Sequence, residues 1–122
     1  MDTKAIQQFV DQTWNTSIVP AITEYIKIPN KSPFFDPNWV QNGHMDKAVA
    51  LVEGWCKKRD IAGLKVEVVR LPKRTPLIYM EIPGTASSTD TVLMYGHLDK
   101  QPEFTGWEAG LGPWQPVMKG DR

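Results

Sequence analysis

The run Thr91-Val92-Leu93-Met94-Tyr95 restricts the fold of this chain more than any other stretch. It is apolar with no alternation, so it presents no polar face to water. A strand that alternates can lie at the surface of a sheet, whereas an unbroken apolar run asks for burial on both faces, in the middle of a sheet with helices on either side. The residues before it supply such elements. Ile6, Val10, Trp14, Ile18, Ile22 and Ile26 recur every fourth position, with Phe9 and Val19 widening the stripe, and Asp2 or Thr3 can cap a helix there. Pro20 predicts a kink or restart within that helix, and Pro29 its end. Asn30 to Asn38, with Pro33, Pro37, Phe34 and Phe35, reads as an ordered loop.

A second helix is expected from about Asn42 to Ile61, with Met45, Ala48, Val49, Val52, Trp55 and Cys56 on its apolar face and Gly63 as its C-terminal cap. Leu64, Val66 and Val68 then alternate with Lys65 and Glu67, the signature of a half-buried strand. Pro72 to Pro76 lead into Leu77-Ile78-Tyr79-Met80-Glu81-Ile82, a spacing that suits an antiparallel hairpin. Pro83-Gly84 breaks that strand, and Ala86-Ser87-Ser88-Thr89-Asp90 is a polar loop before the apolar run. Two helices followed by three strands predict an α/β fold, a layered mixed β-sheet flanked by helices.

Composition excludes several classes. The 122 residues suffice for one domain and not for two, so 1–122 is read as a single domain. Fourteen basic and fourteen acidic residues cancel, which argues against a nucleic-acid or membrane-surface partner. Seven basic and two acidic residues lie between Lys57 and Arg74, a local excess without interleaved exposed aromatics, read as a solvated helix end and strand face. No apolar stretch approaches the roughly 20 residues of a membrane span, and the first residues lack the layout of a secretory signal. A single cysteine fits a reducing compartment, so a cytoplasmic location is expected. Cys56 falls on a buried helical stripe, where a structural role outweighs a nucleophilic one.

Chemistry concentrates just after the apolar run, in Gly96-His97-Leu98-Asp99-Lys100-Gln101-Pro102. The C-terminal end of a central strand in an open α/β sheet is where ligands collect. Gly96 would let the backbone bend out of the ladder and other groups approach. While the chain stays extended, His97 and Asp99 leave the same face. Neutral imidazole is the commonest metal ligand, and a neighbouring carboxylate can take its second N–H and fix its tautomer. The residues alone balance two readings: half of a metal site, or an ordinary hydrogen-bonded histidine. His44, near a predicted helix start, reads as a surface or capping residue.

The string from Val92 to Pro102 resembles the first signature of the di-zinc exopeptidases, the family of carnosinases, cytosolic dipeptidases, glutamate carboxypeptidases and aminoacylases. Gly106-Trp107, Gly112-Pro113-Trp114-Gln115-Pro116-Val117 and Lys119-Gly120-Asp121 are similar to the segment those enzymes carry next, and the order of helices, hairpin and apolar strand matches. Gln101-Pro102 leans towards the dipeptidase and carnosinase branch. The resemblance implies the amino-terminal part of a zinc-dependent peptidase domain acting on small peptides or N-acyl amino acids. It implies His97 as a zinc ligand, and Asp99 as part of the catalytic apparatus that holds the imidazole of His97 without binding metal. The family's bridging aspartate belongs to a Tyr-Gly-Arg-Gly-type stretch that would begin past Arg122, with its paired glutamates and second histidine later still, and Asp121 is not that bridge. The chain alone is therefore expected to be inactive. The other reading is a self-contained α/β binding or interaction domain with a non-catalytic His-x-Asp, in which an open sheet edge and exposed aromatics pair with another chain and form a homo-oligomer. The segment from Gln101 to Arg122, with four glycines and three prolines, is expected to hold no regular element. It is too long for an ordinary terminal loop and reads as an active-site loop.

Overall fold

The structure is a computed structural model that describes residues 2–84, 89–120 and 122. The expected polar loop at Ala86-Ser87-Ser88 and the position of Asp121 lie outside the described residues. The chain divides into two compact units, one formed by Met1–Pro29 with Pro102–Arg122, the other by Asn30–Gln101.

In the first unit, helix α1 runs Thr3–Thr13 and opens with the Asp2 carboxylate accepting from the Ala5 backbone N–H at 3.1 Å. A π-helical turn, Trp14–Ile18, follows, in which the Val19 N–H reaches back to the Trp14 carbonyl, and α2 continues over Val19–Ile26 with Pro20 in its first turn. The π turn is the form the expected disruption takes. Proline has no N–H to give the carbonyl four residues back, and its ring would press on that carbonyl; one wider turn ahead of it avoids both. The expected core stripe is not buried: Ile6, Phe9, Val10, Trp14 and Ile22 all remain exposed, because no element of the unit covers that face of the helix. From Pro102 onwards no helix or strand forms among the described residues, as the glycine and proline content predicts. Local bonds order this segment, including the Trp107 indole N–H to the Phe104 carbonyl at 2.7 Å and the Trp114 indole N–H to Glu103 at 3.3 Å.

The second unit holds α3 (Trp39–Asn42), α4 (His44–Lys57), β1 (Lys65–Val69) and β2 (Leu77–Glu81). The loop before α3 is ordered: the Ser32 carbonyl accepts from the amides of Phe35 and Asp36, and the Asn42 amide donates to the Asp36 carboxylate at 2.8 Å. The single helix expected from Asn42 is split at Gly43, whose φ of +67° ends α3 in the left-handed region and lets α4 begin in a new direction. The face read from spacing is the one that packs: Met45, Ala48, Val49 and Cys56 of α4 are the buried hydrophobic residues among those described. The helix ends at Lys57, so Gly63 is not its cap. Gly63 has φ +77° in the turn from Ile61 to Leu64 that feeds β1, and a Cβ there would lie 2.7 Å from the Pro83 ring.

The hairpin forms as expected, antiparallel, with Val66 opposite Met80 and Val68 opposite Ile78. Beyond it, the fold departs from the expectation. Residues 91–95 form no strand, and Val92, Leu93, Met94 and Tyr95 are 85%, 92%, 87% and 91% exposed. A central strand needs a partner on each edge and a layer on each face. Among the described residues there are two strands, and they pair only with each other. The architecture is therefore mixed α/β, helices with a two-stranded antiparallel sheet. Among the described residues no helix is long and apolar enough to cross a membrane.

The basic stretch from Lys57 to Arg74 is laced to acids outside it, Lys57 to Glu53 at 2.6 Å, Arg70 to Asp46 at 2.7 Å and Lys65 to Glu81 at 3.8 Å, while Arg59 stacks 4.1 Å from the Trp55 ring. Exposed pairs of this kind contribute little to stability.

Two outcomes follow for stability, read by urea unfolding. Val49→Ala, at a residue 2% exposed, should cost about 2 kcal/mol through lost burial and a cavity, whereas Val40→Ala on the exposed side of α3 should change little. Gly63→Ala should cost more than about 1 kcal/mol, since it combines a left-handed backbone with a contact against Pro83.

Candidate functional site

His97 and Asp99 come together as the sequence pattern predicts, although without the strand that was expected to carry them. The His97 Nδ1 lies 3.0 Å from the Asp99 carbonyl oxygen and 3.2 Å from its Oδ1. Both are acceptors, so Nδ1 must be the donor, and in the neutral ring the lone pair then belongs to Nε2. The His97 side chain is exposed, and among the described residues Nε2 has no hydrogen-bond partner. The carboxylate has thus set the tautomer that a metal ligand or a proton acceptor requires.

This pair lines a cleft of about 530 Å³ within the second unit. One wall is β2, through Leu77, Ile78 and Met80. Residues Met94 to Asp99 line the cleft too, as do Met45 and Val52 of α4. The volume is in the range of small-molecule sites, and the lining is largely apolar with a few polar groups, the usual composition of such sites.

The expected reason for Gly96 is not met. A Cβ built there would encounter nothing within 4 Å, and its backbone is not left-handed, so neither close approach nor unusual dihedrals demand glycine in this conformation.

Two residues that the sequence pattern did not single out hold the site. Asn30, 1% exposed, donates from Nδ2 to the Leu98 carbonyl at 2.8 Å. Its own carbonyl accepts from the Lys100 amide at 2.9 Å, and the Lys100 carbonyl accepts from the Ser32 amide at 3.0 Å, which makes a short parallel bridge between Lys31 and Lys100. No local signal in the sequence marks a contact between residues 68 positions apart. Lys100 is half-buried, and burial lowers its ammonium from 10.5 to about 8.

His44 opens α4 and lies away from the pair in the sequence of elements; its Nδ1 is buried without a partner among the described residues. Cys56 is buried as expected, and burial pushes its thiol up, against a smaller opposing effect of the Arg59 charge. A thiol held protonated is a poor nucleophile, so the structural reading of Cys56 stands.

A structural zinc site needs four ligands and a catalytic one three. Among the described residues no three His, Cys, Asp or Glu side chains gather where they could hold one ion. The residues present therefore do not fit a complete zinc centre; they offer one imidazole with its supporting carboxylate.

No protein-family model matches this chain, and no curated protein sequence matches it.

The Lys100 environment has a consequence for stability. The unfolded ammonium titrates near 10.5 and the folded one near 8, so between those values the unfolded state binds more protons and stability rises with pH. The cost of charging Lys100 is fully present below about pH 8. In urea unfolding across pH 7.5 to 10.5, Lys100→Met should be more stable than wild type at the acid end, with the difference shrinking as pH rises; a difference independent of pH would contradict the burial of the ammonium.

Proposed function

We propose that this chain is the amino-terminal part of a zinc-dependent metallopeptidase domain, one that hydrolyses dipeptides or C-terminal peptide and amide bonds. It contributes His97 as a ligand and Asp99 as the carboxylate that holds the imidazole. The single observation that carries this reading is the hydrogen bond from His97 Nδ1 to Asp99, which leaves the Nε2 lone pair exposed beside an apolar cleft. The motif string from Gly96 to Pro102 and the Trp-Gly-Pro elements of the following segment support it. Buried, unreactive Cys56 is compatible with a cytoplasmic setting for the parent enzyme.

Among the described residues one credible ligand is present, so in this reading the further ligands come from another polypeptide segment, and no catalytic step is assigned to this chain by itself. A substrate of this class, a small peptide or an N-acyl amino acid, would place apolar atoms against Leu77, Ile78 and Met80, with its scissile carbonyl towards the His97 end.

A second reading, a small α/β interaction domain that pairs through its sheet edge or its exposed apolar segment, is favoured by the exposure of Val92 to Tyr95. A cooperative melt of a stable monomer would support a self-contained domain; aggregation or strand-exchanged oligomers would support the incomplete one.

Calorimetric titration of this chain with zinc should show binding weaker than micromolar, and incubation with dipeptides and zinc should give no turnover. A micromolar or tighter site lost on His97→Ala, or hydrolysis by this chain, would refute the incompleteness of the site. If the reading frame continues past Arg122 into a glycine-rich, aspartate-containing stretch, the longer product should hydrolyse dipeptides with zinc. In that protein Asp99→Ala should lower metal affinity or activity roughly 10- to 100-fold and His97→Ala by more; full activity of His97→Ala would overturn the assignment.

A further inference from the structure

Asn30 is the most deeply buried polar residue described, and one of its two side-chain polar atoms goes without a partner. Its Nδ2 donates to the Leu98 carbonyl, while its Oδ1, equally buried, has no partner among the described residues. Rotating the amide by half a turn would bring two acceptors face to face, so the Leu98 carbonyl fixes its orientation. A buried polar group with one unmet atom is costly, and leucine would fill a similar space without that cost. What leucine could not supply is the donor.

The donor acts where it matters for the pair. Together with the bonds from the Lys100 amide to the Asn30 carbonyl and from the Ser32 amide to the Lys100 carbonyl, it pins the backbone on both sides of Asp99. The two Asp99 oxygens that face His97 Nδ1 are the backbone carbonyl and Oδ1. The direction of the first is set by the peptide plane between residues 99 and 100; that of the second depends on the Cα–Cβ direction, which the backbone sets, and on the Asp99 side-chain torsions. Holding Leu98 and Lys100 therefore places the carbonyl and the point from which the carboxylate reaches Nδ1.

The geometry points to Asn30 as a positioning residue for the His97–Asp99 pair: from its buried place it sets the Leu98–Lys100 backbone so that Asp99 accepts the hydrogen bond from Nδ1–H and Nε2 keeps its lone pair. This rests on the reading of the pair as a ligand-presenting unit. The role needs no metal and is expressed in the chain as it stands.

The test is the tautomer of His97, read by long-range proton–nitrogen correlation on the nitrogen-15-labelled chain at an alkaline pH where imidazole is neutral. The chain has two histidines, and His44→Gln assigns the signals. Wild type should show His97 mainly as the Nδ1–H form. Asn30→Asp has the same shape but no donor for the Leu98 carbonyl, and should turn that majority into a minority, towards the Nε2–H form that free imidazole prefers. Val49→Ala, which destabilises the same unit without touching the loop, should leave the tautomer as in wild type. An unchanged tautomer in Asn30→Asp, or an equal loss in Val49→Ala, would overturn the positioning role. A wild-type His97 already in the Nε2–H form would instead overturn the reading of the pair itself. If Asn30→Asp does not give a dispersed amide spectrum, Asn30→Ser, too short to reach Leu98, is read by the same criterion.

Discussion

The short parallel bridge between Asn30–Ser32 and Leu98–Lys100 is the contact on which the second unit depends, because it joins the two ends of that unit. Closing a loop of this length costs about 4 kcal/mol in chain entropy beyond a constant. The three hydrogen bonds of the bridge contribute roughly 1 kcal/mol each. They offset the closure and leave no surplus. Holding the ends together therefore also draws on the apolar packing inside the loop, from Met45, Ala48, Val49 and Cys56 of α4. In the folded state the bridge holds the backbone on either side of Asp99, while α4 packing contributes to the stability of the unit as a whole.

The same closure leaves residues 91–95 without a structural use. Their backbone makes no ladder bonds to β1 or β2, and their side chains face water. Exposed backbone groups are satisfied by solvent at little cost, but four consecutive large apolar side chains are not. The site therefore follows a segment that any additional apolar surface would stabilise. A strand laid against 91–95 would also bound the cleft beside His97, since Met94 and Tyr95 line it.

The legible parts of this fold are those governed by local period. The α4 face could be read because residues at three- and four-residue spacing meet one surface whatever else the chain does, and the hairpin because β1 alternates and the residues from Pro72 to Pro76 lead into β2. The His97–Asp99 contact was legible for the same reason, two residues apart in one segment. Where a reading depended on a remote partner it failed: the stripe of α1 and α2 stays open, and 91–95 is not a strand. Pro20 announced a disruption, but the choice of a π turn over a kink lies in backbone energetics that composition does not encode. Asn30 was illegible because its importance lies in a bond to Leu98, and nothing in a local pattern connects two such distant positions. Gly96 was over-read, since the freedom of a glycine shows its purpose only where a neighbour comes close.

The His97–Asp99 pair can therefore exist before any further ligand joins it. Its hydrogen bond is local, its backbone is held from the buried side by Asn30, and neither needs an ion to form. In a site assembled from several segments, each ligand fixed in advance removes an ordering cost at the moment of binding. An imidazole whose tautomer and backbone are already set loses little freedom on meeting a metal. One that hung free would have to lose both its ring rotation and its alternative tautomer. The segment from His97 to Asp99 thus combines an imidazole of fixed tautomer with the carboxylate and carbonyl that fix it.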